Sequence, residues 1–204
     1  MGSEMDEVTG KPGARRLSQA QRRHQLLETA LVIIREEGAD RLTLGHLAAR
    51  AGISKPVAYD HFGTRSGLLI ALYKSIDIRQ VDALREALAT GERHLGAVVA
   101  TLAAAYIHCS VDTGGEWHAV GAALAGSEDM HAVHQELLDG YVQLFASVLA
   151  PYCSLSSDDL ERRCVGLVGA GEALSAAMLS GSLSEQEAAD TLALLIKNGV
   201  QAGA

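Results

Sequence analysis

Residues 51–65 read "AGISKPVAYDHFGTR", and the fold turns on how this stretch is divided. Gly52 is placed to end one helix. Ser54 is placed to cap the next, with Pro56 in its first turn, where the missing amide hydrogen would have had no intrahelical partner. Upstream, Thr43 precedes a short helical segment, "LGHLAAR". Downstream, Gly63 and Thr64 separate the second short helix from a long one running from about 65 to 88, where Leu68, Leu69, Leu72, Ile76 and Val81 recur at helical spacing. Two short helices joined by "AGIS" make a helix-turn-helix if the first can cross closely over the second. Ala48 is small enough for that crossing, and Gly52 accepts the positive φ the turn requires.

The wider chain supports a small basic module joined to a larger acidic one. Its 204 residues carry a net charge of −8, but residues 11–65 hold ten Lys or Arg against five Asp or Glu, and residues 66–204 hold seven against seventeen. A basic first third on an acidic chain points to a polyanion contacted at one end only. The uncharged run Leu95 to Val111 is too short and too polar to span a bilayer, so no membrane partner is expected. No charged start followed by an apolar run predicts a secretory signal. Three unclustered cysteines, Cys109, Cys153 and Cys164, suit free thiols in a reducing cytoplasm.

Sparse proline and the absence of strand-like alternation predict an all-α fold. Residues 1–17 read as a flexible arm, 18–64 as a three-helix helix-turn-helix DNA-binding domain, and 65–204 as a larger helical domain. Within the last, helices are expected near 92–111, 116–125, 128–149, 157–180 and 185–199. Ser127, Ser156 and the capping-box pair Ser184 and Glu187 mark three of their starts.

Lying in a major groove, the second short helix would carry Lys55, Pro56 and Val57 foremost. Lys55 can donate to guanine, and the Pro56 ring and Val57 methyls can touch thymine methyls. Tyr59 and His61 can donate to phosphates, and Asp60 can accept from a cytosine amino group. Arg65 opens the next helix, whose free amides favour an anion. The residues alone leave other readings open: Tyr59 could pack into the core and His61 could cap a helix, while Phe62 falls on the apolar face with Ala58 and Leu69.

From Leu26 to Leu72 the sequence resembles the TetR family of bacterial transcriptional regulators. The segments "LLETALVIIREEG" and "TLGHLAARAGISKPVAYDHFGTRSGLLIALY" follow that family's DNA-binding domain, with Thr43, Ala48, Gly52, Ser54, Tyr59, Phe62, Leu68 and Leu69 in register. The resemblance implies double-stranded operator DNA as a partner, with Ser54 at the head of the reading helix. It implies phosphate contact from Thr43, Tyr59, His61 and Arg65, and base-edge contact from Lys55, Pro56, Val57 and Asp60. Three positions depart from the family pattern: Arg65 for Lys, Gly67 for a frequently acidic residue, and the small Ala58.

One reading helix spans few base pairs, so a homodimer is expected. The resemblance favours a four-helix seam from the last two helices, where Gly166, Gly169, Ala170, Ala173 and Ala177 would permit close approach beside Leu167, Leu174, Leu192 and Leu195. Those small residues could instead pack only the chain's own helices. The resemblance also implies a pocket for a small-molecule effector between 92 and 149, with Tyr106, His108, Trp117, His118, Tyr141 and Phe145 as candidate lining. The low aromatic content favours a small or aliphatic effector over a large planar cation. Repression relieved by the effector is the family's common mode.

Alternatives are an architectural DNA-binding protein without effector, a metal sensor using His131 and His134 with His108 or His118, and a redox sensor at Cys109. No cofactor is expected and no metal is assigned. The basic arm residues Lys11, Arg15 and Arg16 could enter a minor groove. Scattered His, Cys and carboxylates, without a phosphate-binding loop or a paired nucleophile and base, argue against an enzyme.

Overall fold

The computed structural model describes residues 17–112, 116–124 and 128–201, with the side chains of 112, 116–118, 124, 128 and 130 excepted. The arm residues Lys11, Arg15 and Arg16, and Ser127, lie outside these. Among the described residues the secondary structure is helical throughout. The order is α1 (Gln19–Glu37), a 3₁₀ turn (Ala39–Arg41), α2 (Leu44–Arg50), α3 (Lys55–Phe62) and α4 (Arg65–Thr90). Then follow α5 (Leu95–Asp112), α6 (Glu116–Leu124), α7 (Glu128–Leu149), a second 3₁₀ turn (Ala150–Tyr152), α8 (Ser157–Leu179) and α9 (Glu185–Gln201).

Local chemistry fixes the boundaries. Ser18 and Gln21 form a reciprocal capping box at the start of α1. Thr43 Oγ1 accepts from the His46 amide, and Thr64 Oγ1 accepts from the Gly67 amide. The turn into α3 is a Schellman motif: Gly52 at φ +65° lets the Ile53 amide donate to Ala48 O at 3.0 Å and its own amide donate to Ala49 O at 3.3 Å. Ser54 departs from expectation. It occupies the capping position of α3 but its side chain makes no capping hydrogen bond.

Two apolar cores form, joined by α4. The first gathers Leu26, Leu31, Ile33, Leu42, Leu47, Ala58 and Phe62 with Leu68, Leu69, Leu72 and Ile76 of α4, and draws in Val120 of α6 and Val133 of α7. Packing around α1–α3 therefore extends beyond position 64, to Ile76. The second core contains Leu84, Leu102, Ile107, Phe145, Leu149, Leu160, Leu192 and Ile196. Here α5 packs along α9, and α8 lies against both α7 and α9.

Candidate DNA-contact surface and ligand cavity

Helix α3 sorts its side chains by position. Ala58 and Phe62 are buried, Val57 and His61 are half-buried, and Ser54, Lys55, Pro56, Tyr59 and Asp60 are exposed along one edge. Tyr59 is 53% exposed, which removes the reading in which it packs into the core. Lys55 leans back over α2, so that a Cβ on Gly45 would lie 3.6 Å from its Cε. Thr43 is exposed at the start of α2, leaving its hydroxyl proton free of the capping interaction, in which its oxygen accepts.

The orientation of α3 is held from behind. Arg23 of α1 donates to the His61 carbonyl at 2.8 Å and sits 4.8 Å from the centre of the Phe62 ring. One cation thus satisfies a free C-terminal carbonyl and covers an aromatic face. Arg65 is more committed than its sequence position implied. Its Nε donates to Leu42 O and its Nη2 to Ala39 O, each at 2.8 Å, so the guanidinium clasps the 3₁₀ turn. Any phosphate it meets must be approached from this fixed pose.

Arg50, at the end of α2, pairs with Glu36 and with Glu37, the latter at 3.2 Å, and His46 meets Glu37 at 3.0 Å. The His46 hydrogen bond, aided by the nearby arginines, holds the Glu37 carboxyl below its ordinary range. Neither Arg23 nor Arg50 was singled out from sequence. Their partners lie up to 38 residues away, beyond any local signal.

A cavity of about 670 Å³ opens between α4, α5, α6, α7 and α8. Tyr73, Gln80, Tyr106, Cys109, Leu137, Leu138, Tyr141, His134, Glu172 and Ser175 are among its walls. Tyr106 and Tyr141 were expected here, and they meet edge to face with ring centres 5.2 Å apart. Burial pushes both hydroxyls far above the ordinary phenol range. Phe145 was expected to line the cavity; it is fully buried behind Tyr106, at 5.5 Å, and is core. His108 points elsewhere, pairing with Glu185 of α9 at 2.8 Å. The α5 register carries it off the cavity face. The side chains of Trp117 and His118 lie outside the described residues.

The polar groups sequence reading missed come mainly from α4 and α8. Asp77 is 8% exposed and its Oδ1 meets no donor; burial pushes its carboxyl up to about 6, partly opposed by the Tyr141 hydroxyl and reinforced by Glu136. Ser175 is also buried with an unpartnered Oγ. His134 stands 3.6 Å from Glu172 and 3.4 Å from the Tyr73 hydroxyl. The available signal was the series Tyr73, Asp77 and Gln80, polar at i, i+4 and i+7 on an otherwise apolar helix face.

Among the described residues no three metal-ligating side chains come together. Cys109 is half-buried, with its Sγ 3.9 Å from the Gln80 carbonyl. No described helix is long and apolar enough to cross a membrane.

The outer face of α8 and α9 divides the expected seam. Leu167 and Leu192 belong to the chain's own core, at 8% and 0% exposure. They turn inward because α9 packs there, with Gly199 against the Leu167 side chain. Gly166, Gly169, Ala173 and Leu195 are exposed, and Ala170, Leu174 and Ala177 half-buried. A Cβ on Gly166 or Gly169 would meet nothing within 4 Å, so contacts within this chain do not require glycine at either position. Exposed Val165 and Leu194, both at 59%, lie on the same two helices.

Residues 26–72 match the family of bacterial regulatory proteins, tetR family. The HTH-type transcriptional activator FasR of Mycolicibacterium smegmatis is 35% identical over 81 residues, a span of 40% of this chain and 37% of that protein. A solved candidate transcriptional regulator from Pseudomonas aeruginosa PAO1 superposes with a TM-score of 0.71 at 19% identity, covering 92% of this chain and 94% of that one. A TetR-like transcriptional regulator from Rhodococcus sp. RHA1 gives 0.62 at 25% identity, covering 92% and 100%.

Proposed function

We propose that this chain, a TetR-family transcriptional regulator by its N-terminal domain, binds a palindromic operator as a homodimer and represses transcription until a small molecule enters the cavity. The observation that carries the reading is the exposed leading edge of α3, with Lys55, Pro56, Tyr59 and Asp60 turned away from a core that holds Ala58 and Phe62. Phosphate contacts from Thr43, Tyr59, His61 and Arg65 would set register, and Lys55, Pro56, Val57 and Asp60 would read bases. The reading assigns the chain no catalysis.

The dimer is supported by the open glycines of α8 and the exposed Val165, Leu194 and Leu195, apolar surface that a second copy would cover. Effector coupling is supported by α4. Its first half packs in the α1–α3 core, and Tyr73, which belongs to that core, is also a cavity wall. A ligand that shifts α4 must therefore move the base of α3, which is the differential contact that allostery needs. A second reading, activation, is favoured by the likeness over 81 residues to FasR, a transcriptional activator. The two differ in where the operator lies relative to the promoter.

The test is retention of genomic DNA fragments by the full chain, followed by footprinting. The expected site is a palindrome with half-sites about 34 to 36 Å apart, or a multiple of that spacing, on one face of the duplex. The Lys55→Ala variant should lose affinity for that site more than for random duplex. Equal affinity of the wild-type chain for all fragments would instead establish an architectural protein.

A further inference from the structure

We propose that the cavity selects an organic cation, an amine with an apolar body, using Glu172 and Asp77 as its counter-charges and the Tyr106 and Tyr141 rings as its walls. This rests on the reading of the cavity as the effector site. Three of the chain's five tyrosines, Tyr73, Tyr106 and Tyr141, line this one space, although aromatic residues make up only 4% of the sequence. Tyrosine faces attract cations through the ring quadrupole, and the attraction grows where water is excluded.

The charge balance points the same way. Glu172 is a cavity wall and no Lys or Arg is among the described wall residues. Asp77 lies on the α4 face between Tyr73 and Gln80, which are both walls, and it is buried with an acceptor oxygen unpartnered. Ser175, itself a wall, adds a second unpartnered buried oxygen from α8. Buried acceptors without donors are rare in folded proteins because each forfeits a hydrogen bond to water. An ammonium group brings donors to these two unpartnered oxygens and a positive charge to Glu172, which otherwise meets His134 at 3.6 Å. A carboxylate or phosphate ligand would meet Glu172 with only His134 nearby to offset the repulsion. The remaining walls, including Leu137 and Leu138, suit an apolar body, and about 670 Å³ is room for a drug-sized molecule.

Three probes of similar shape separate charge from shape: phenylbutylammonium, phenylbutanol and phenylbutyrate. Calorimetric titration of the full chain at neutral pH, without DNA, should give the ammonium at least about tenfold tighter binding than the alcohol, and the carboxylate the weakest. In Glu172→Gln, with native circular dichroism, the preference for the ammonium over the alcohol should shrink by about tenfold while the alcohol binds as before. Equal binding of alcohol and ammonium, tighter binding of the carboxylate, or no saturable ammonium binding would overturn the proposal, and each is read on the wild-type chain. Because no DNA is present, an intact operator affinity without charge preference sinks this inference alone. Ammonium binding by a chain that retains no specific DNA sinks the regulator reading alone.

Discussion

Tyr106 packs directly against Gly171: a Cβ added to that glycine would sit 2.5 Å from Tyr106 Cε1. Alanine in mid-helix would ordinarily gain about 0.5 to 1 kcal/mol over glycine. Here the ring cannot yield freely, because it is buried against Tyr141 at 5.2 Å and Phe145 at 5.5 Å. Overpacking costs about 1 to 3 kcal/mol, so the clash should win. Gly171→Ala is expected to lower the thermal midpoint and alter the near-ultraviolet tyrosine circular dichroism. An unchanged or raised midpoint would show that the ring moves without cost.

Arg65 offers a sharper discrimination between holding the fold and touching DNA. Its two hydrogen bonds to the Leu42 and Ala39 carbonyls use the guanidinium fork. Arg65→Lys keeps the charge and loses the fork, and should cost about 1 to 3 kcal/mol in denaturant unfolding. Arg65→Ala should in addition weaken specific and random DNA binding alike, with a shallower salt dependence. A lysine variant as stable as wild type would assign the residue to phosphate contact alone.

Asp77 makes stability depend on pH in a direction opposite to that of most carboxylates. Its folded pKa is raised from 3.8 to about 6, by burial first, so the folded state binds the proton more readily than the unfolded chain. That contribution is fully present below 3.8 and is lost as pH rises through about 6. Asp77→Asn should therefore be more stable than wild type at neutral pH, by about 1 to 3 kcal/mol, with the difference closing toward pH 4. Denaturant titrations of both chains across that window measure it. Parallel curves would mean that water reaches the carboxylate.

The α8–α9 face can be tested without disturbing the core. Leu194 is 59% exposed, so Leu194→Glu should leave helicity and unfolding of the protomer within about 0.5 kcal/mol of the value for a surface change. If the proposed homodimer uses this face, sedimentation should report a dimer for the wild-type chain and a monomer for the variant, and operator affinity should fall with it. A variant that still sediments as a dimer places the interface elsewhere.

The helix-turn-helix was legible from a few residues because its signals are local. Gly52 at φ +65°, Thr43 at the start of α2 and the small Ala48 each act within a few positions of their own place in the chain. The same holds for Ser184 and Glu187, whose capping box starts α9. Tyr106 and Tyr141, named as candidate lining on the strength of the resemblance, are among the walls of the cavity. His108 and Phe145 are not among the walls of that cavity, because a helix pattern states which side chains share a face and not which neighbour that face meets.

By itself, then, the sequence determined the helices, their ends, and the residues offered along the edge of α3, because capping, turn conformation and amphipathic spacing are properties of contiguous residues. Tertiary packing alone decided that Leu167 and Leu192 face inward, that Arg65 clasps the turn at Ala39–Arg41, and that Asp77 and Glu172 stand near one set of tyrosines. Those relationships join positions tens of residues apart. They exist only once two cores have formed on either end of α4 and fixed the rotation of every helix around it.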